Sequence, residues 1–486
     1  MPVGPYDFFM KGAIAAGHPL TAEAGARVLE AGGGAVDACV AAALVSWVCE
    51  SPLTGPGGGG FMLVHEAASG RTTVLDFFVT VPLRSASGSL LELPVDFDGD
   101  TQQLFRTGAA AVAVPGTALG LFEAHARWGR VPRAELCERA VSLAGEGFEL
   151  TPMQGYLHQI LDPLLRHSPE GDALYGNAGR AYRWGERFAL PELAQTIEEL
   201  AADGPTALYR GRLAQAIVAH VQAGGGALSL DDLAAYAVAG REPVHVSYRG
   251  HEFRSNPPPS SGGVLIALGL RALGDGDPTP AAYADAMEAQ EAARDAAFAR
   301  ALYEGASALA VLRGTTHISV VDGEGNAASL SASLGSGSGV VVPGTGIHLN
   351  NMLGELDLAG AAQPGQRLTS MMAPSLVLRD GRPRLVVGSA GSARLRGAIL
   401  QVVGNVVAGM PVETAVEAPR VHAEGGVVHC EDPGTADALE ADGRAVVRWR
   451  ERNLYFGGVS AVEVRGDGGL AAAGDPRRGG AGLVVT

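Results

Sequence analysis

The hydrophobic pattern divides the chain into a mixed start, a helical middle and a strand-rich end. From Thr21, "TAEAGARVLEAGGGAVDACVAAALVSWVCE" carries apolar residues at helical spacing up to the glycines at 32–34, then an almost unbroken Ala/Val run. This predicts one helix stopped by glycine and a second, buried helix over about 35–48. "SPLTGPGGGGFMLVHE" predicts a glycine loop opening a strand, and "TTVLDFFV" a second strand. Over 116–233, segments such as "TALGLFEAHARW", "AELCERAVSLAGEG" and "LPELAQTIEELAADG" keep the helical period and end on glycine. "PVHVSYRGHEFRSN" then predicts a strand pair, "PPPSSGG" a rigid turn that locks a loop, and an Ala-rich stretch a helix over about 280–303. Beyond it, period-two alternation dominates in "HISVVD", "AASLSASL", "SLVLRD" and "RLVVGS". A helix in "LRGAILQVVGNVVAG" and terminal strands in "VVRWR", "SAVEVR" and "GLVVT" complete the pattern. The order of elements predicts a layered α/β (α+β) fold.

Composition narrows the function. At 486 residues the chain has length for one or two domains with a large core. No apolar run reaches the roughly 18 residues of a membrane span, so a water-soluble protein is expected. Formal net charge is −16 and Lys11 is the single lysine, which argues against nucleic acid as a partner. Cys39, Cys49, Cys137 and Cys430 are scattered without a CxxC, so they read as buried small hydrophobes rather than as a disulfide framework or zinc site. The first 25 residues lack the charged, apolar and small-residue regions of a signal peptide, and the expectation is a cytoplasmic protein.

The stretch "GTTHISVVDGEGNAASLSASL" carries the candidate chemistry. A threonine hydroxyl is a weak nucleophile unless a base lies beside it, and a free α-amine on the same residue supplies one near neutral pH. That requires a chain break, and Gly314 before Thr315 suits the strained backbone of such a break. Taken alone, a Thr-Thr pair opening a strand also follows from β-propensity. His317 reads as a structural histidine within the motif. "GPGGGG" lacks the GK[ST] of a phosphate loop and reads as close backbone packing.

Ten ordered motifs span the chain: "GHPLTAEAGARVLEAGGGAVDA", "PGGGGFMLV", "AVPGTALGLFEAH", "TALYRGRLAQAI", "LSLDDLAAY", "NPPPSSGG", "TTHISVVDGEGNAASLS", "GIHLNN", "SMMAP" and "GSAGSARLR". Together they resemble the γ-glutamyltranspeptidase family of N-terminal-nucleophile hydrolases. The resemblance implies a four-layer αββα sandwich with a mainly helical region, made as one precursor. Cleavage between Gly314 and Thr315 would give a large piece, 1–314, and a small piece, 315–486, intertwined in one catalytic unit. It implies Thr315 as nucleophile, with its freed amine as base. Ser333 stands where the family has a second threonine that bonds the nucleophile. Gly391 and Ser392 match the pair whose backbone N–H groups form the oxyanion hole. No cofactor or metal is implied; the partners are a small-molecule substrate and the two fragments themselves, with assembly beyond that pair left open.

The acyl pocket departs from the family. The arginine that holds the glutamyl α-carboxylate is replaced by Phe78. Of the serine pair, Ser370 remains and the other is Met371. The asparagine after the second threonine is Gly335, the amide or glutamate after the "NN" pair is Met352, and the nearby aspartate is Glu355. Phe and Met cannot replace a charge-assisted arginine fork, so the pocket favours an acyl group other than γ-glutamyl. Arg367 and Arg394, in motifs flanking the site, could restore a clamp, and Arg394 reads equally as a surface or structural ion-pair residue. The segment before Thr315 and the connector after Glu355 are both shorter than in typical members, which argues against a large lid. The leading expectation is a threonine acyl hydrolase working through an acyl-enzyme. One variant resembles the scaffold used in actinobacterial alkylproline antibiotic pathways for C–C bond hydrolysis that releases an oxalyl-type group. The alternatives are a γ-glutamyl hydrolase or transferase acting on glutathione-like amides, and an uncut, inactive homologue that serves as a binding protein.

Overall fold

In the computed structural model, residues 10–97, 101–294, 298, 302, 314–355, 362–391 and 394–486 are described. Thirteen strands among them build two large sheets. In chain order they are β1 (Gly12–Ala16), β2 (Gly59–Glu66), β3 (Arg71–Phe77), β4 (Ala239–Arg241), β5 (Val244–Tyr248), β6 (His251–Ser255) and β7 (Gly314–Asp322). They continue with β8 (Ala327–Gly335), β9 (Ser375–Arg379), β10 (Arg382–Ala390), β11 (Gly458–Val464), β12 (Leu470–Gly474) and β13 (Ala481–Val485). The first sheet has the order β4-β3-β2-β8-β7-β1-β13, the second β5-β6-β9-β10-β11-β12, and neighbouring strands in both are antiparallel.

Strand alternation explains the layering. On β1, Ile14 and Ala16 join the core beneath the helices, whereas Ala13 and Ala15 point the other way. Those two alanines pack with Leu63, Val74 and Val321 against Leu376, Leu378, Val386 and Val462 of the second sheet, so this seam lies between the sheets. Small and β-branched residues let the two sheets stack closely.

Helices cover both outer faces. On the first sheet lie α1 (Pro19–Glu30), α2 (Ala35–Cys49) and α3 (Thr117–Trp128). All fifteen residues of α2 are buried, as expected of a helix apolar all round, because the helical region over 117–223 covers the side away from the sheet. On the second sheet lie α4 (Gly262–Leu273), α5 (Pro280–Ala292) and α6 (Leu395–Val407). The architecture is the expected four-layer αββα sandwich. No helix among the described residues is long and apolar enough to cross a membrane.

Several expected elements shift. The helix expected over 280–303 is described as far as Ala292; the rest of it falls almost entirely outside the described residues, as do the segment at 303–313 and the connector at 356–361. The "PPPSSGG" turn locks as expected: Ser260 Oγ, the Ser261 amide and Ser261 Oγ donate to the Ser370 carbonyl at 2.7, 2.9 and 3.2 Å. The sequence pattern did not reveal β1, α4 or the hairpin of Leu91–Phe97 and Thr101–Thr107.

Candidate active site

Thr315 sits in the first turn of pleat on β7, at the only register shift between β7 and β8. Gly314 pairs with Gly335 and Thr316 with Ala332, so Thr315 alone opposes Ser333 and Leu334. Such a bulge re-aims a side chain where the ladder would otherwise hold it flat. Thr315 is buried, and it lines a narrow cavity with Thr316, His317, Glu50, Ala390, Leu454, Gly458, Asp475 and Arg478 among others.

The two threonines take opposite roles. Thr316 points toward the helices and donates through Oγ1 to Glu50 Oε2 at 2.7 Å, while Thr21 donates to Glu50 Oε1 at 2.9 Å. Glu50 ends α2, so these bonds fasten the helix to β7 and β1's neighbour α1. Burial raises the Glu50 carboxyl above its ordinary range, offset in part by the two hydroxyl bonds and the charge of Arg478. The second threonine is therefore a structural bolt.

His317 shares the face of Thr315 and lies between the sheets. Its ring nitrogens meet Ser331 Oγ at 2.8 Å and Ser319 Oγ at 3.0 Å, and a Cβ on Gly388 of the second sheet would stand 2.2 Å from the ring. Burial lowers it to about 3, which keeps the imidazole neutral. That matches the structural role read from the sequence.

Ser333 lies opposite Thr315, buried, and its Oγ accepts from the Gly335 amide at 2.8 Å. The glycine loop before β2 presses on this strand, since a Cβ on Gly58 would stand 2.4 Å from the Ser333 carbonyl oxygen. Gly391 follows Ala390, which lines the Thr315 cavity, and has φ of +126°, a conformation that favours glycine. A Cβ there would lie 2.6 Å from Gly457 Cα, so the backbone is closely held. Ser392 lies outside the described residues.

The six residues of the altered acyl pocket form two groups. Phe78, Met352 and Met371 belong to one apolar cluster with Phe61, Leu368 and Met372, and Phe78 stacks on Phe61 with centroids 5.4 Å apart. Ser370 is held beside them through its carbonyl by the "PPPSSGG" turn, and its Oγ accepts from the Met372 amide at 3.1 Å. Gly335 meets Glu355 and Asn351 instead. A Cβ on Gly335, where φ is +75°, would stand 2.1 Å from Asn351 Oδ1 and 2.5 Å from Glu355 Oε1. The space a larger side chain would need is filled. None of these six residues lines the cavity that Thr315 lines.

Arg367 does not restore the missing clamp. Its guanidinium bonds the Phe78 carbonyl and the Tyr236 hydroxyl, donates to the Ala237 carbonyl at 2.6 Å and lies 3.5 Å from Asp76 Oδ1. It braces the loop after β3 rather than waiting for a ligand. Sequence reasoning also missed three residues of the site region. Asn351 bonds Ser336 and the Arg106 carbonyl and closes the Gly335 space. Glu50 was hidden at the end of an apolar helix, where a lone acid after a fully buried run was the available signal. Arg478 lies in "DPRRGG" near the end of the chain, and nothing in that short turn motif links it to Thr315.

Known proteins resemble the chain over nearly its whole length. The gamma-glutamyltranspeptidase family model matches residues 21–293 and 276–485. An acylase ACY 1 proenzyme of a Pseudomonas species (strain SE83) is 35% identical over 95% of this chain and 91% of its own. A glutathione hydrolase proenzyme of Pseudomonas aeruginosa is 33% identical over 98% of this chain and 94% of its own. The crystal structure of a cephalosporin acylase from Bacillus halodurans superposes with a TM-score of 0.84 at 27% identity, covering 98% of this chain and 96% of that one. With the motifs in order, the sandwich formed and Thr315 buried at the seam between the sheets, the chain belongs to the γ-glutamyltranspeptidase family of hydrolases.

Proposed function

We propose that the chain is a self-cleaving N-terminal threonine hydrolase whose acyl group is not γ-glutamyl. Cleavage at Gly314–Thr315 frees the Thr315 amine. The amine takes the hydroxyl proton as Oγ attacks the substrate carbonyl, and the Gly391 and Ser392 N–H groups receive the oxyanion. The bond to the leaving group breaks, the leaving group takes the proton, and an ester on Thr315 forms. Water then attacks that ester, releases the acid and restores the hydroxyl. Ser333, opposite Thr315, steadies the nucleophile.

The observation that carries the altered specificity is the filled space at Gly335 together with the apolar cluster of Phe78, Met352 and Met371. A zwitterionic glutamyl end would lose its charge-assisted partners there, and truncating such a pair costs several kcal/mol. Relatives named as acylases support a broad acyl hydrolase reading. The same steps serve C–C bond hydrolysis when the leaving group is a stabilised carbon that takes the proton. Kinetics with 4-nitroanilides test the specificity. γ-Glutamyl-4-nitroanilide is expected to turn over at a kcat/KM at least about 100-fold below that of an anilide lacking the amino-acid end. A preference for the γ-glutamyl compound would contradict the altered pocket.

A further inference from the structure

The cavity that Thr315 lines holds more charge than the proposed steps use. Glu50, His317, Asp475 and Arg478 are the ionisable side chains that share it, and two of them are already accounted for. Burial brings His317 to about 3, so its ring is neutral. Asp475 is paired with Arg420 at 2.6 Å and Arg477 at 3.2 Å, and it also accepts from the Val459 amide at 3.0 Å. The elements packed around the cavity bring no further charge to its wall. His18, capping α1, is lowered by burial to about 4 and meets Gln154 Oε1 at 2.9 Å. Arg394, at the start of α6, donates to the Tyr455 carbonyl at 2.9 Å, lies over the Tyr455 ring and does not line the cavity.

Glu50 and Arg478 remain. The two oxygens of Glu50 accept from Thr21 and from Thr316, the residue directly after the nucleophile. Burial raises this carboxyl, and hydroxyl donors on both oxygens work the other way by favouring the carboxylate. A Cβ on Gly17 would stand 2.8 Å from Glu50 Oε2 and 3.3 Å from Thr316 Oγ1, so the group is wedged in place. Arg478 comes from the turn before β13. Its Nε is buried without a hydrogen-bond partner, and a Cβ on Gly391 would lie 3.6 Å from its Nη2. Burial brings it down to about 10, which leaves it charged at neutral pH. Among the described residues no carboxylate is in ion-pair contact with it. One negative and one positive charge therefore border the same buried space, where water screens them poorly.

We propose that Glu50 and Arg478 are positioning residues for a proton: their opposed charges set the ionisation of the amine freed on Thr315, and so how much of it stands ready as base. An α-amine titrates at about 8 in water, so an amine left to itself is mostly protonated at pH 7. The carboxylate holds that proton and the guanidinium repels it. Neither group touches the acyl group; both act through the amine. The role rests on the cleavage at Gly314–Thr315 proposed above.

Direct titration of the amine in the cleaved protein tests it. With isotope-labelled threonine, nitrogen NMR resolves the Thr315 amine from the backbone amides. Glu50→Gln should lower its pKa by about 0.5–1.5 units, because the ammonium loses a nearby negative charge, and Arg478→Met should raise it by a similar amount. Arg478→Lys, which keeps the charge, should leave it close to the wild-type value. The acid limb of the kcat/KM profile should move with the amine, so that Glu50→Gln keeps its activity to lower pH. A purely structural role would change folding or the yield of cleavage without moving the two variants in opposite directions. Cleaved variants whose amine titrates as in the wild type, or shifts in the same direction in both, would overturn the proposal. If one variant fails to fold or cleave, the sign of the shift in the other decides. An uncut wild-type chain would instead refute the hydrolase reading, and this role with it.

Discussion

Thr315 and Thr316 are chemically identical neighbours, and the pleat of β7 with the bulge at Thr315 turns them to opposite faces, so that Thr316 is the one that bonds Glu50. Their substitutions should therefore separate. Thr316→Val should leave cleavage at Gly314 intact while lowering stability by about 1–2 kcal/mol, read from the denaturation midpoint, because Glu50 loses a buried donor. At Gly335 the constraint is steric. Gly335→Asn, which restores the family's asparagine, should lower the melting temperature by several degrees, because its Cβ meets Asn351 and Glu355 and its φ of +75° strains any larger residue. A variant as stable as the wild type that gained γ-glutamyl activity would show that Gly335 is not the closed position described here.

At the scale of elements, the oxyanion role proposed for Gly391 rests on β10, the strand it follows. Gly391→Ala should cut kcat by roughly 100-fold or more, because its Cβ would meet the Gly457 backbone and shift the N–H proposed to receive the oxyanion. The Thr315 motif, the buried α2 and the alternating strands of the last third were legible in the sequence, since each carries a strong period or a spaced motif. β1 was not: "GAIAA" is five buried residues with only one β-branched side chain, so its strand identity comes from pairing with β7 and β13 rather than from propensity. α4, "GGVLIALGLRAL", opens on two glycines and carries a third, which masks a helix stabilised by packing against the second sheet. Arg478 was illegible for a different reason. It joins the Thr315 cavity only because the fold brings Gly391 and Gly458 against it.

In the whole molecule, the two pieces expected from cleavage share both sheets. β7 pairs with β1, and β8 with β2, so strands of 315–486 lie between strands of the first 314 residues. The fragments should co-elute in gel filtration and separate only on denaturation. Acid should unfold the assembly early. His18, His65, His158, His317, His348 and His422 are buried, and burial lowers each to about 3–4. The unfolded chain then binds more protons than the folded one below about pH 6.5, so stability falls as pH drops from there toward 4. Each histidine removes up to about 1.4 kcal/mol by pH 5.5, and a thermal melt series should show that decline before carboxylates titrate. The most direct test of the central claim is the intact mass of the purified protein before and after brief exposure to substrate. The 49.6 kDa chain should appear as fragments of about 32 and 17.5 kDa, the smaller beginning at Thr315 and gaining the acyl mass, whereas Thr315→Ala should stay whole and unmodified. An uncut wild-type chain that turns over substrate, or an acyl group carried on another residue, would contradict it.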